Sequence, residues 1–302
     1  MVVVLLGALV FGASGKEGSI VYQGGLGAKA LGMGGAFCAL ADDGMAALWN
    51  PAGILAFGEN VWIAGATSQK FGAVPFQVLS GGFSFAGYGI GLMWASASDR
   101  TDSIKSLKIF DSNLFGGTVA LKLGDFGWVG ANIKYYIEKV QDKAYSGFGF
   151  DLGVIVPLMP ELALGVVAKD LGTSLSGESV STLYVAGFAV KLLDGALKLV
   201  ADVELSGTFA VDHLRAGLEF ALIENLAIRA GLTVPKMNFD KYYVAVGVGF
   251  ALGGLSVDAA YVLAKNPGES LVLSATFLLG ELVQPAPAPT PTPAPAPTPR
   301  PR

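Results

Sequence analysis

The charged residues that could do chemistry in this chain recur at even spacing. Lys134 and Glu138, Lys198 with Asp202 and Glu204, and Arg215 and Glu219 stand two or four residues apart, with Asp151, Arg229 and Asp258 in similar alternating surroundings. Alternate residues of a β-strand point to the same side. Such spacing therefore gathers acids and bases on one face. On that face Lys122, Lys134, Lys169, Lys191, Lys198, Arg215 and Arg229 oppose Glu138, Asp151, Asp202, Glu204, Glu219 and Asp258. A pore that selects one ion sign presents a ring of like charge. Balanced signs predict a salt-bridged lattice that stiffens a wall and touches whatever lies inside it.

The other reactive groups do not assemble into a catalyst. Asp42-Asp43 and Asp202/Glu204 are paired acids without a nucleophile, a base and an oxyanion site beside them. Asp42-Asp43 is expected to support the start of a short helix through its dipole. Gly25-x-Gly27-x-x-Ala30 has the spacing of a dinucleotide loop, but it does not lie between the strand and helix of a βαβ unit. His213, the sole histidine, falls at a strand start and reads as a solvated rim residue. The single cysteine, Cys38, excludes an intramolecular disulfide and a multi-thiolate zinc site. The expectation is no enzyme, no cofactor and no metal. A net charge of −4 carries no footprint for nucleic acid.

The elements that position these charges are strands. With 52% hydrophobic and 15% charged residues, the chain is more apolar than a soluble domain, which is about 25% charged. A membrane helix needs about 20 apolar residues in a row, and the longest charge-free run, Phe71 to Ser98, is broken by Pro75, glycines, Gln77 and serines. From residue 60 onward the pattern has period two. Val129, Ala131, Ile133, Tyr135 and Ile137 alternate with Gly130, Asn132, Lys134, Tyr136 and Glu138. One face then meets lipid and the other a polar lumen.

About fourteen such strands are expected between 59 and 281, the first two (60–70 and 76–86) the least regular. Short links near Ala86-Gly87, Gly124-Asp125, Met159-Pro160, Asp194-Gly195, Glu224-Asn225 and Gly253-Gly254 alternate with longer ones. This is the pattern of a transmembrane barrel. An even strand number puts both termini on the short-turn side, the periplasm of a bacterial outer membrane. Outer-membrane lipid is the expected surrounding. Trp62, Trp94, Trp128, Tyr135, Tyr242, Tyr243 and Tyr261 are expected near interfacial girdles. A soluble β-sandwich is the alternative, but its outer face would be polar rather than leucine and valine.

Residues 1–15 read as a signal peptide lacking a basic start. Residues 282–302 form a proline-rich tail that favours polyproline II. It is expected to be a periplasmic spacer, or a ligand for an envelope partner.

The stretch Gly24 to Leu55 departs from the strand pattern. It is glycine-rich, carries a helix-like run over 41–49, and stops at Asn50-Pro51-Ala52-Gly53. Gly32, Gly34 and Gly35 permit tight bends, and Pro51 pushes Asn50 out of the α region. Gly27-Ala28-Lys29-Ala30-Leu31-Gly32-Met33-Gly34-Gly35-Ala36-Phe37, with Ala39-Leu40-Ala41-Asp42-Asp43 and Trp49-Asn50-Pro51-Ala52-Gly53, resembles the amino-terminal signature of FadL-like and PorV/PorQ-like outer-membrane proteins. It covers roughly a tenth of the chain.

The resemblance implies an all-β membrane protein, a barrel of about 14 antiparallel strands with an N-terminal hatch (16–58) in its lumen. Gly32, Gly34, Gly35, Asn50, Pro51, Ala52 and Gly53 would be the gating residues. It implies two functions. One is passive passage of hydrophobic small molecules. The other is a non-transporting scaffold for secretion or cell-envelope proteins, with loops 99–112 and 171–181 as contact surface. The short, charged outer loops lean toward the PorV/PorQ side.

Overall fold

The computed structural model describes residues 26–70, 74–98, 110–140, 143–264 and 268–280. The expected signal peptide, most of loop 99–112 and the proline-rich tail lie outside the described residues. The strands are β1 (Val61–Lys70), β2 (Val74–Phe85), β3 (Tyr88–Ser98), β4 (Phe110–Lys122), β5 (Trp128–Val140), β6 (Lys143–Met159) and β7 (Leu162–Leu171). A small hairpin, β8 (Ser174–Leu175) and β9 (Glu178–Ser179), follows. Then come β10 (Leu183–Leu192), β11 (Leu197–Leu205), β12 (Val211–Ile223), β13 (Leu226–Pro235), β14 (Tyr243–Leu252), β15 (Leu255–Ala264) and β16 (Ser270–Leu278). All but β8 and β9 form one closed antiparallel barrel of fourteen strands. β1 pairs with β16, from Trp62 opposite Leu278 to Lys70 opposite Ser270. Closure pairs each of these fourteen strands on both sides, as a bilayer demands.

The period-two pattern decides which side faces out. In β14, Val246, Val248 and Phe250 are exposed while Ala245 is buried. In β5, Ile133 and Ile137 are exposed while Asn132, Lys134, Tyr136 and Glu138 are buried. A soluble protein would hide such a leucine, valine and phenylalanine band. Here it forms the outer surface, so the barrel is transmembrane. Tight links such as Ala86-Gly87, both at positive φ, match the right-handed twist of hairpin strands.

The interior is filled by the N-terminal segment. Between Leu26 and Leu55 every residue except Lys29, Leu31 and Asp42 is buried. The segment contains α1 (Ala28–Gly32), α2 (Ala46–Trp49) and a 3-10 helix (Pro51–Phe57). α1 packs against β13–β16, and the 3-10 helix against β2–β6.

Several local expectations change. The helix expected over 41–49 begins only at Ala46. Ala41 sits at positive φ, and Asp43 Oδ1 accepts the Met45 N–H at 2.9 Å, so a turn precedes the helix. Trp62 faces inward and stacks on Phe57, ring centroids 4.7 Å apart, and Trp128 packs against the inner core rather than an outer girdle. Lys122 and Lys191 are exposed at the short-turn end instead of lining the lumen. Loop 171–181 is not simply a surface. It folds into the β8–β9 hairpin, with Thr173 and Leu175 buried and the Ser176 N–H bonded to Ser146 O at 2.8 Å.

Candidate functional site

Asn50 anchors the segment's turn. Its side chain is fully buried, where an unpaired amide would cost about 1–3 kcal/mol. Nδ2 donates to Cys38 O at 2.9 Å and to Val154 O on β6 at 3.1 Å. Oδ1 accepts the Ala52 N–H at 3.1 Å. One side chain thus ties two parts of the segment to the wall. Pro51 opens the 3-10 helix, where its missing N–H costs nothing.

Small residues let segment and wall meet backbone to backbone. Gly34 has φ +67, and a Cβ there would lie 2.7 Å from Leu232 N. On the wall, a Cβ on Gly231 would lie 2.0 Å from Gly34 N, and one on Gly153 would lie 2.1 Å from Asn50 Oδ1. Gly32 approaches Gly247 and Arg229, Gly35 approaches Arg215, and Gly53 approaches Ala41 O. The expected gating residues therefore all sit at contacts, within the segment or with the wall.

The charged face is a lattice with extensions into the segment. Lys134 Nζ lies 2.6 Å from Asp151 and 2.7 Å from Asp170. Tyr136 donates to Asp170 Oδ1 at 2.7 Å, and Glu138 accepts Ser112 Oγ at 2.8 Å. Arg229 joins Glu219 at 2.6 Å and Asp258 at 2.7 Å, and Lys198 joins Glu219 at 2.6 Å. Arg215 joins Glu204 at 3.0 Å. Asp202 reaches into the lumen, where its Oδ2 accepts the Phe37 and Cys38 N–H groups at 2.8 and 3.0 Å. Lys169 donates to Leu48 O at 3.1 Å and covers the Trp49 ring at 5.3 Å. Thr233 Oγ1 donates to Gly34 O at 2.6 Å, and Asn132 Nδ2 to Ala47 O at 2.8 Å.

The buried titratable groups of the segment are perturbed by their surroundings. Burial pushes the Asp43 carboxyl up to about 7, with neighbouring Asp42 and Asp258 adding to it and Lys29 opposing. Burial also pushes the Cys38 thiol well up. For Lys29, burial lowers the pKa, but the Asp42 carboxylate, 2.8 Å away, and Glu219 outweigh it and hold the ammonium above its usual range.

Sequence reasoning missed Asp170, the third member of the Lys134 cluster, because it stands at positive φ beside a register shift between β6 and β7. It also missed an apolar arc. Val74, Phe76, Val78, Met93, Ala95, Ala97, Phe110 and Leu114 of β2–β4 are buried on the inner face. The signal was present as even-numbered apolar residues at the start of β2, Val74, Phe76 and Val78, with Pro75, Gln77 and Leu79 interleaved.

By sequence, no family model and no characterised relative matches the chain. By structure it is similar to the toluene transporter TodX of Pseudomonas putida, with a TM-score of 0.63 and 12% identity over 84% of this chain and 98% of that one. The toluene transporter TbuX of Ralstonia pickettii gives 0.61 and 14%, over 84% and 97%. A FadL homologue of Pseudomonas aeruginosa gives 0.59 and 12%, over 83% and 98%. The barrel fold is that of FadL-like proteins, as the amino-terminal motif implied. These structures do not carry the PorV/PorQ side of that resemblance.

Proposed function

We propose that this FadL-like barrel lies in a bacterial outer membrane and lets hydrophobic small molecules pass down their gradient through a lumen closed by residues 16–58, a hatch. The observation that carries this is the apolar arc of β2–β4. It gives an apolar solute a wall of valine, alanine, methionine and phenylalanine, which a channel for ions or sugars would not need. Residues 59–281 form the barrel. Both termini are periplasmic, in keeping with the short links and with Leu279 N bonded to Val61 O at 2.7 Å, which brings the barrel's two ends together. Gly32, Gly34, Gly35, Asn50, Pro51, Ala52 and Gly53 gate by changing their contacts with the wall. The similar structures, toluene transporters among them, favour apolar cargo.

A second reading is favoured by the number of hatch bonds. Asp202, Thr233, Lys169 and Asn132 of the wall all grip the hatch, and its own Asn50 bonds to Val154 O of β6, as a sealed, non-transporting scaffold for secretion or envelope proteins would require. Uptake of a fluorescent fatty acid and a small aromatic by liposomes carrying the refolded barrel separates the two. Saturable uptake by wild type, altered when residues 26–57 are deleted, supports passage. No uptake by wild type, with a leak only after deletion, supports the scaffold.

A further inference from the structure

Apart from the hatch and the apolar arc, three side chains converge where β11 and β12 meet at their longer link. His213 stands directly opposite Glu204 in the register. Its Nδ1 lies 2.8 Å from Glu204 Oε1 and 3.3 Å from Asp212 Oδ2. One donor atom from each of the three residues lies within 4.8 Å of the others. We propose that Glu204, Asp212 and His213 form a binding site for a divalent transition-metal ion of the zinc type.

The separations from Nδ1 are those of an imidazole hydrogen-bonded to two carboxylates, and they also admit an ion in place of the shared proton. Bonds of about 2.1 Å from zinc to nitrogen and oxygen hold adjacent donors about 3.0 Å apart at right angles and about 3.4 Å apart in a tetrahedron. The two distances from Nδ1 lie close to that range without backbone movement. One imidazole and two carboxylates suit a borderline ion. Arg215 holds the other Glu204 oxygen, Oε2, at 3.0 Å. This orients the carboxylate and leaves Oε1 for the ion, as outer-shell partners do in metal sites. Once the imidazole gives up its proton to an ion, as a metal-binding histidine must, the two carboxylates and the guanidinium leave a net charge of −1, which suits a dication.

The His213 and Asp212 side chains are 28% and 27% exposed, so the ion has an aqueous approach and keeps one position for solvent. The expectation of no metal rested largely on the cysteine count. It did not see that the register would place Glu204 across from His213. A bound ion would staple β11 to β12 where their register shifts between Glu204 and Leu205.

The test uses the full chain without an affinity tag, refolded in detergent micelles and titrated with Co2+, then Zn2+. His213 is the only histidine, so its ring resonances report binding without overlap. One equivalent of Co2+ is expected to shift them strongly and to be displaced by Zn2+. His213→Gln and Asp212→Asn are each expected to weaken affinity by at least about tenfold, with the gel mobility of a folded barrel retained. A folded wild-type barrel whose ring resonances ignore millimolar Co2+ would overturn the proposal. So would Co2+ affinity left unchanged by His213→Gln. Should that variant not fold, the wild-type resonances alone decide.

Discussion

The inner wall of the barrel differs from one side to the other. On β2–β4 the inward side chains include Val74, Phe76, Val78, Met93, Ala95, Ala97, Phe110 and Leu114. On β5–β7 and β11–β15 they include Lys134, Asp151, Asp170, Lys198, Glu204, Arg215, Glu219, Arg229 and Asp258, joined by ion pairs of 2.6–3.0 Å, with Asp202 bonded to backbone N–H groups of the N-terminal segment. The first wall holds its contents by non-directional burial, which tolerates sliding. The second holds them by directed bonds whose loss leaves buried charges or N–H groups stranded. The hatch touches both. Its 33–38 stretch is bound to the charged side through Asp202 and Thr233, and its 3-10 helix leans on β2–β6. On the passage proposed above, the charged arc would be the fixed side of the lumen and the apolar arc the side along which cargo moves.

The largest break in that contrast comes from Lys134→Met. It leaves Asp151 and Asp170 buried without their shared cation, at a cost of about 3–5 kcal/mol. Urea unfolding in micelles, read by gel mobility, should show that loss. A cost under 1 kcal/mol would mean the charged arc is not over-determined.

Asp202→Ala removes the acceptor for two buried N–H groups and should weaken the hatch by about 2–5 kcal/mol. Hydrogen exchange at Phe37 and Cys38 should accelerate, while the barrel strands stay protected.

The hatch should also respond to pH through Asp43, whose pKa is about 7 when folded against 3.8 ordinarily. A raised carboxyl pKa favours the protonated form in the folded state. The stability it contributes is present below pH 4 and lost as pH rises through 7. The loss is of order 4 kcal/mol. Hatch exchange should quicken across that window, and Asp43→Asn should remove the dependence.

The smallest expected effect is on the apolar arc. Val78→Thr keeps the shape but buries a hydroxyl, costing roughly 1–2 kcal/mol, and should slow uptake of an apolar probe more than it lowers stability.

The sequence pattern foretold the walls better than their contents. The alternation from Val129 to Glu138 falls within β5, Trp128–Val140, and even the irregular first strands, expected over 60–70 and 76–86, span Val61–Lys70 and Val74–Phe85. Period two is local, and it fixes both element and face. Which residues meet across strands is not local. The partnership of Glu204 with His213 and the place of Asp170 depend on register and a bulge, which spacing does not encode. The inward fold of β8–β9 depends on packing against Gly147, where a Cβ would lie 1.8 Å from Ser174 O. The fit of the hatch was half legible. Gly32, Gly34 and Gly35 announced tight bends, but which wall glycine receives which hatch atom emerges only in three dimensions.

The most direct test is a reversible lock on the hatch. Cys38 touches Val185 of β10 in a small buried cluster with Val167, so Val185→Cys offers a disulfide partner on the wall. Liposomes carrying this variant would be assayed for uptake of a fluorescent fatty acid, oxidised and then reduced. Oxidation is expected to stop saturable uptake, and reduction to restore it. Uptake that is equally fast with the disulfide formed would contradict a moving hatch.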